Sequence, residues 1–356
     1  MVSQRIFISL VTIIIWCSLA LAGEEYRYEY QKVVEVTSGI ELTVVNPTGD
    51  IRLIADPENT VRINAVKKTY ADSREEAELL AGQIQIAVTD LDGHITVESK
   101  SLAEPKPSSS FLKKVLGGGR TSQNSVDFTI KVPTDCNVAI RNSSGDIEVM
   151  GIRGRLDLSG LAGDMAVQDI LGNVDVSTSS GEVKIKNIDG NVTIKGSSIS
   201  VTMTSVNGDI DIRNGSGNIV GEYVIGDVVV SQENGSVDLT RLEGDIRVTS
   251  ATGRVRVEQE FGALDVSTES GDIDVTTELN SPKDYFVETV SGSIRFMVPE
   301  ASGGKIDLEA GSCEIDTQIP IAIDSFSRTR ISGRFGSGGP KISLATTSGD
   351  ITLGEF

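Results

Sequence analysis

Histidine is almost missing from this chain: His94 is the only one in 356 residues. A Ser-His-Asp triad or a histidine-based metal site would have to use it. It follows Asp92-Gly93 with no supporting motif around it and reads as a solvated turn residue. Tryptophan occurs once, at Trp16. Aromatic residues make up 4% of the chain. Between Gly145 and Gly271 only Tyr223 and Phe261 are aromatic, a poor supply of sugar-stacking surface. Basic residues are outnumbered, 32 Lys and Arg against 51 Asp and Glu. Nucleic acid and anionic lipid both reward clustered positive charge, so neither is an expected partner. Proline is scarce, nine residues, against 37 glycines.

Long apolar runs are absent after residue 22. Before it, Arg5 precedes an apolar stretch from Ile6 to Leu21, and Ala20-Leu21-Ala22 forms a small-residue cleavage signal. Residues 1–22 are therefore expected to be a signal peptide, with export to the periplasm, the cell surface or the medium after cleavage near Ala22. Trp16 before Cys17 argues against lipidation. No transmembrane span is expected in the mature chain. Loss of Arg5 takes the formal charge from −19 to −20, which favours a soluble monomer. Cys136 and Cys313 remain. Both share strand parity with apolar neighbours, in opening and closing coils too far apart for a disulfide. Two buried free thiols are expected.

What the chain does contain is a rhythm. From Gly145 to Gly271, glycine recurs every nine residues, and only position 199, an isoleucine, breaks the series. Two and four residues after each slot come apolar side chains, as in Val174 and Val176 or Val192 and Ile194, and only Gly221 fails. A period of two inside a period of nine describes short strands joined by tight turns. One such unit cannot bury its apolar face alone, so the units must stack. Two residues before the glycine, apolar and small or polar residues alternate: Ile170, Ser179, Ile188, Ser197, Val206, Gly215. The structural period is thus about 18 residues per coil, with two unlike corners, one buried and the other solvated. The predicted fold is all-β, a parallel β-solenoid, with a three-sided coil as the second choice.

Four parts are expected. Residues 1–22 are the signal. Residues 23–99 form an irregular β-rich cap with divergent first coils and one short helix after Asp72-Ser73. Residues 100–125 form a flexible insertion loop, and residues 126–356 are the repeat domain. Within the insertion, Phe111-Leu112-Lys113-Lys114-Val115-Leu116 is apolar and basic in an acidic protein. Phe111, Leu112, Val115 and Leu116 are its candidate partner-docking residues. The last repeat is Thr347 to Leu353.

The blocks Ser144-Gly145-Asp146-Ile147-Glu148-Val149, Asn207-Gly208-Asp209-Ile210-Asp211-Ile212 and Ser270-Gly271-Asp272-Ile273-Asp274-Val275 resemble the bacterial putative-adhesin β-strand repeat family, a domain of unknown function. The resemblance covers nearly all of the mature chain and implies an exported β-solenoid. Adhesion is what it implies about function; composition does not show it.

No catalytic or cofactor-binding residue is assigned. Asp209, Asp227 and Asp245 fall above one another in an 18-residue coil, about 4.8 Å apart. They are weak metal candidates, with turn capping as the simpler reading. The expected function is non-enzymatic: an acidic surface for adhesion or for contact with a protein or envelope component, with a scaffold or sensor role as a variant. The alternative is a polysaccharide-active enzyme using paired carboxylates.

Overall fold

The computed structural model describes residues 24–36, 39–102, 124–311 and 314–356. Strands pair in parallel at a spacing of 18 residues: Val174 with Val192, Val192 with Ile210, Ile210 with Val228. A second stack runs alongside, Val183 with Val201, Val201 with Ile219, Ile219 with Val237. Each coil is one strand from each stack, and the alternating apolar residues of both point at one another. Val174 and Val192 are 0% and 1% exposed. One apolar cluster runs from Ile40 to Leu353. The parallel solenoid of 18-residue coils is the fold, and no three-sided coil occurs in the described residues.

The two corners solve one problem differently. At the end of most first-stack strands the last inward residue is polar, with glycine instead at 160 and 196. Asn142, Thr178, Asn214, Gln232 and Ser250 are all buried. Their side chains satisfy turn carbonyls that the corner would otherwise strand. The Asn214 amide donates to Ile199 O and Ser216 O, both at 2.8 Å. The Gln232 amide donates to Gly217 O at 2.9 Å and Asn234 O at 2.8 Å. This corner, expected to be solvated, is dry inside and polar. At the other corner an aliphatic residue turns inward: Ile170, Ile188, Val206, Val224, Leu242. Strand parity alone would point it outward. A residue at positive φ just before it reverses the parity, in five successive coils: Asp169, Asn187, Ser205, Tyr223 and Arg241, with φ between 54° and 60°.

Isoleucine at slot 199 has a compensating partner. Ile199 is buried, and a Cβ on Gly196 would lie 2.4 Å from its Cδ1. Gly196 takes the place where other coils carry the inward polar residue, so the missing side chain there makes room for the isoleucine. The strand Val192–Asn207 runs through both stacks without a break, as Val174–Asp189 does with glycine at slot 181.

Both ends depart from chain order. The strands Ile40–Asn46 and Ile51–Asp56 form the second coil in space, not the first. Outside them stack His94–Ser101 and Ser125–Pro133, which come later in the chain. Antiparallel strands then cover the edges: Ile84–Leu91 on one stack, Thr60–Ala71 and Glu24–Glu35 on the other. The expected helix spans Arg74–Gln83, and the Ser73 hydroxyl accepts from Glu76 N at 3.2 Å. The Lys67 ammonium closes its far end, donating to Ala81 O at 3.1 Å and Ile84 O at 2.6 Å. Partial burial holds its pKa below the usual lysine value.

At the other end, Lys341–Ser348 and Ile351–Glu355 are last in the chain but one coil in from the edge. They lie between Tyr285–Ser291 and Gly304–Ala310, and between Ile294–Val298 and Ile315–Thr317. The repeat at Thr347 to Leu353 is therefore not terminal in space, contrary to its place in the sequence. An antiparallel hairpin, Ala322–Phe326 with Arg330–Phe335, covers Gly304–Ala310. The strand His94–Ser101 runs past position 100 and Ser125–Pro133 opens at 125, trimming the expected insertion at both ends. Phe111, Leu112, Val115 and Leu116 lie outside the described residues, as do residues 1–22 and Cys313. Cys136 is a buried free thiol. Burial, and secondarily Asp135, pushes its pKa up to about 12.

Candidate functional site

The stacked turn carboxylates are occupied by backbone. Asp227 N donates to Asp209 Oδ1 at 3.0 Å, Asp245 N to Asp227 Oδ1 at 2.9 Å, and Ala263 N to Asp245 Oδ1 at 2.9 Å. Each aspartate caps the turn of the next coil. A hydrogen bond to the charged form offsets like-charge repulsion. The bond from Ala263 N, then Lys283 Nζ at 2.5 Å from Oδ2, holds the Asp245 carboxyl below the usual range. A second ladder at the opposite corner uses the same device: Asp127, Asp50, Asp146 and Asp164 each accept from the following coil. Sequence reasoning missed it because Asp127 precedes Asp50 in space but follows it in the chain. Among the described residues no group of three or more His, Cys, Asp or Glu is placed to hold a metal. Calcium is therefore expected to leave the melting temperature unmoved; a concentration-dependent rise would make Asp209, Asp227 and Asp245 a cation ladder. His94 opens a strand at the surface, its Nε2 2.8 Å from Glu41 Oε2.

The corner of positive-φ residues carries the one feature that turn chemistry does not explain. Asp and Asn visit this backbone region at little cost, because their short side chains bond locally. Tyr and Arg do so only under strain of about 1–3 kcal/mol each. Gly151 occupies the same column one coil earlier, at φ 81°, so an unstrained alternative exists for this backbone. Tyr223 and Arg241 project their side chains outward instead, with the Arg241 guanidinium 4.8 Å from the centre of the Tyr223 ring. Arg241 also pairs with Glu222.

One coil further on, the corner changes type. Gln259 turns inward and donates to Gly244 O at 2.7 Å and Ala263 O at 3.0 Å, as the polar residues of the other corner do. The register between Val237–Glu243 and Val255–Phe261 shifts at this point, pairing Leu242 with Gln259 and Glu243 with Phe261. The change leaves a recess of about 320 Å³ between the bulged coils and the unbulged one. Its lining, largely apolar, includes Tyr223, Ile225, Arg241, Glu243 and Glu260. Tyr223, Ile225 and the adjoining Phe261 are 50%, 55% and 53% exposed. The sequence did hold a signal. Glu260 stands where the series Ile170, Ile188, Val206, Val224, Leu242 calls for another aliphatic residue.

None of the curated proteins matches this chain. Among solved structures, a putative cell adhesion protein from Clostridium sporogenes is 10% identical. That match covers 93% of this chain and all of the other, with a TM-score of 0.24. Putative adhesins from Bacteroides fragilis and Parabacteroides distasonis are 13% and 11% identical, each over 92% of this chain and 97% of the other, with TM-scores of 0.30 and 0.29. The Toastrack DUF4097 family model matches residues 40–354, nearly the whole solenoid with its caps. The chain belongs to the Toastrack DUF4097 family, a β-repeat domain.

Proposed function

We propose that this is a non-enzymatic, exported binding protein whose solenoid presents the ridge of Tyr223 and Arg241, with the recess beside it, to a partner in the envelope or outside the cell. The observation that carries the reading is the strain: two large side chains are held outward on backbone that glycine would occupy more cheaply. Strain of this kind persists where the surrounding structure over-determines it, and it concentrates at functional surfaces. The neighbouring putative adhesins are compatible with this reading, and so is the apolar leader of residues 1–22. Among the described residues no helix is long and apolar enough to cross a membrane. Against a paired-carboxylate hydrolase stands the use of the turn aspartates, which accept backbone N–H groups along a row rather than facing each other across a cleft.

The ridge can be removed without harming the fold. Tyr223→Gly with Arg241→Gly relieves strain of about 1–3 kcal/mol per residue and loses a cation–π contact of about 0.5–1 kcal/mol. The double variant should melt at the same temperature or higher. Retention of the purified chain on intact cells or envelope fractions should fall at least tenfold. Undiminished retention would end the ridge reading, and release of soluble sugar from the envelope would favour the hydrolase.

A further inference from the structure

We propose that the recess beside Tyr223 is a docking site for the apolar, dibasic segment Phe111–Leu116 of a second copy of this chain. The inference rests on the ridge reading and names its occupant. Three observations lead to it.

The first is the charge left over in the recess. Arg241 is committed to Glu222 and to the face of Tyr223. Glu243 and Glu260 have no ion-pair partner among the described residues, and both line the recess beside exposed Tyr223, Ile225 and Phe261. An occupant must therefore offer apolar side chains and one or two cations on a short piece of chain. A purely apolar ligand would leave two carboxylates half-desolvated, and an anionic one would be repelled.

The second is composition. Phe111-Leu112-Lys113-Lys114-Val115-Leu116 has that chemistry: two adjacent lysines flanked on each side by two apolar residues. It occurs in a chain of formal charge −19, where such segments are not expected by chance of composition.

The third is length. The insertion leaves the solenoid at Leu102 and returns at Asn124, on the outermost coil and at the corner opposite the recess. The recess lies six to seven coils away, roughly 30 Å at about 4.8 Å per coil, and about 20 Å across, the length of a strand. The straight-line span is thus roughly 36 Å. Eight residues lie between Leu102 and Phe111, nine Cα steps, and seven lie between Leu116 and Asn124, eight steps. Fully extended, these reach about 31 Å and 28 Å. The segment cannot enter its own recess, but nothing in this arithmetic bars it from a neighbour's. Net negative charge opposes bringing two copies together, so the contact should be weak in solution and favoured where copies are crowded on one surface.

The test uses the intact chain and a fluorescent peptide of residues 108–119, read by anisotropy. The peptide should bind, and the Tyr223→Gly, Phe261→Ser variant should bind it at least tenfold more weakly. A peptide carrying Lys113→Glu and Lys114→Glu should not bind, and raising the salt should weaken the native peptide. Phe286→Ser, an exposed aromatic on the first stack and outside this recess, should leave affinity unchanged, and circular dichroism should show both variants folded. Absence of peptide binding, or equal binding by both variants, would overturn the proposal. If envelope retention still depends on Tyr223 and Arg241 in that case, the ridge binds something else and only the self-docking is lost. If retention is also independent of them, the ridge reading falls too.

Discussion

A chain ending at Pro340 is expected to lose its folded structure from residue 299 onward while the coils before it persist. The missing strands, Lys341–Ser348 and Ile351–Glu355, fill the coil that joins the C-terminal cap to the solenoid. They carry Ile342, Leu344, Ile351 and Leu353, each at most 1% exposed. At about 1.5–3 kcal/mol per buried aliphatic side chain, their loss removes roughly 6–12 kcal/mol of burial. What remains of the cap has no other attachment by strand pairing: Gly304–Ala310 pairs only with the deleted strand and with its own hairpin, Arg330–Phe335. The coil behind would then present two open parallel edges, Tyr285–Ser291 and Ile294–Val298. Unpaired edges template association. Limited proteolysis with mass spectrometry should show new cleavage clustered after Val298, and size-exclusion chromatography should show concentration-dependent association. A protease map identical to that of the full chain would mean that the cap docks by a route other than this coil. A cut made at the other end of the sequence offers no equivalent, because the coil that is first in space, His94–Ser101 with Ser125–Pro133, lies far from the start of the chain.

The arrangement of these ends explains what was and was not legible in the sequence. Nonapeptide spacing, inward Val174 and Val192, the Ser73 cap and the 18-residue coil all follow from local rules, because each depends on residues within one turn of one another. The order of coils does not. Every coil offers its neighbours the same parallel register and the same spacing, so nothing in the Thr347 to Leu353 repeat states which two strands will flank it. The polar corner was obscured by residue type. Asn214 and Gln232 have inward parity, but amides in a strand ordinarily face water, and only the stranded turn carbonyls justify them inside. At the other corner, parity itself fails at Tyr223 and Arg241, neither of which is a residue that announces positive φ. The recess follows from that failure. It exists because six coils, from Gly151 to Arg241, use the bulge and the coil at Gln259 does not, a difference visible only when successive coils are laid against each other. Asp209, Asp227 and Asp245 were placed correctly by the period, but their role was set by the amide hydrogens of the next coil.

Gly226→Ala should cost more than the same methyl added at a turn glycine with open space around it. Gly226 has φ 145°, and a Cβ there would lie 2.3 Å from the Gly208 carbonyl oxygen and 2.5 Å from its carbon. Backbone atoms of one coil thus pack against those of the next with no side chain between them. Alanine would add conformational strain of about 1–3 kcal/mol and, because the neighbouring coil must shift, a similar amount from overpacking. The sum is about 2–6 kcal/mol, or a fall of roughly 3–9 °C in melting temperature for a chain of this size. Gly93→Ala separates the two contributions. Gly93 also has positive φ, 86°, but nothing lies within 4 Å of its Cβ position. Only the conformational part remains there, about 1–2 kcal/mol. Equal losses for the two variants, measured by thermal denaturation, would show that contact between coils is not what requires glycine. Ile199 marks the other way out of the constraint. Its φ is not positive, its strand continues unbroken, and its side chain occupies the space left by Gly196. Position 226 has no such vacancy: the residue three before it is Tyr223, whose backbone already bends the chain at the ridge. Isoleucine at 226 should therefore be tolerated no better than alanine, although the same residue is native two coils away at the other corner.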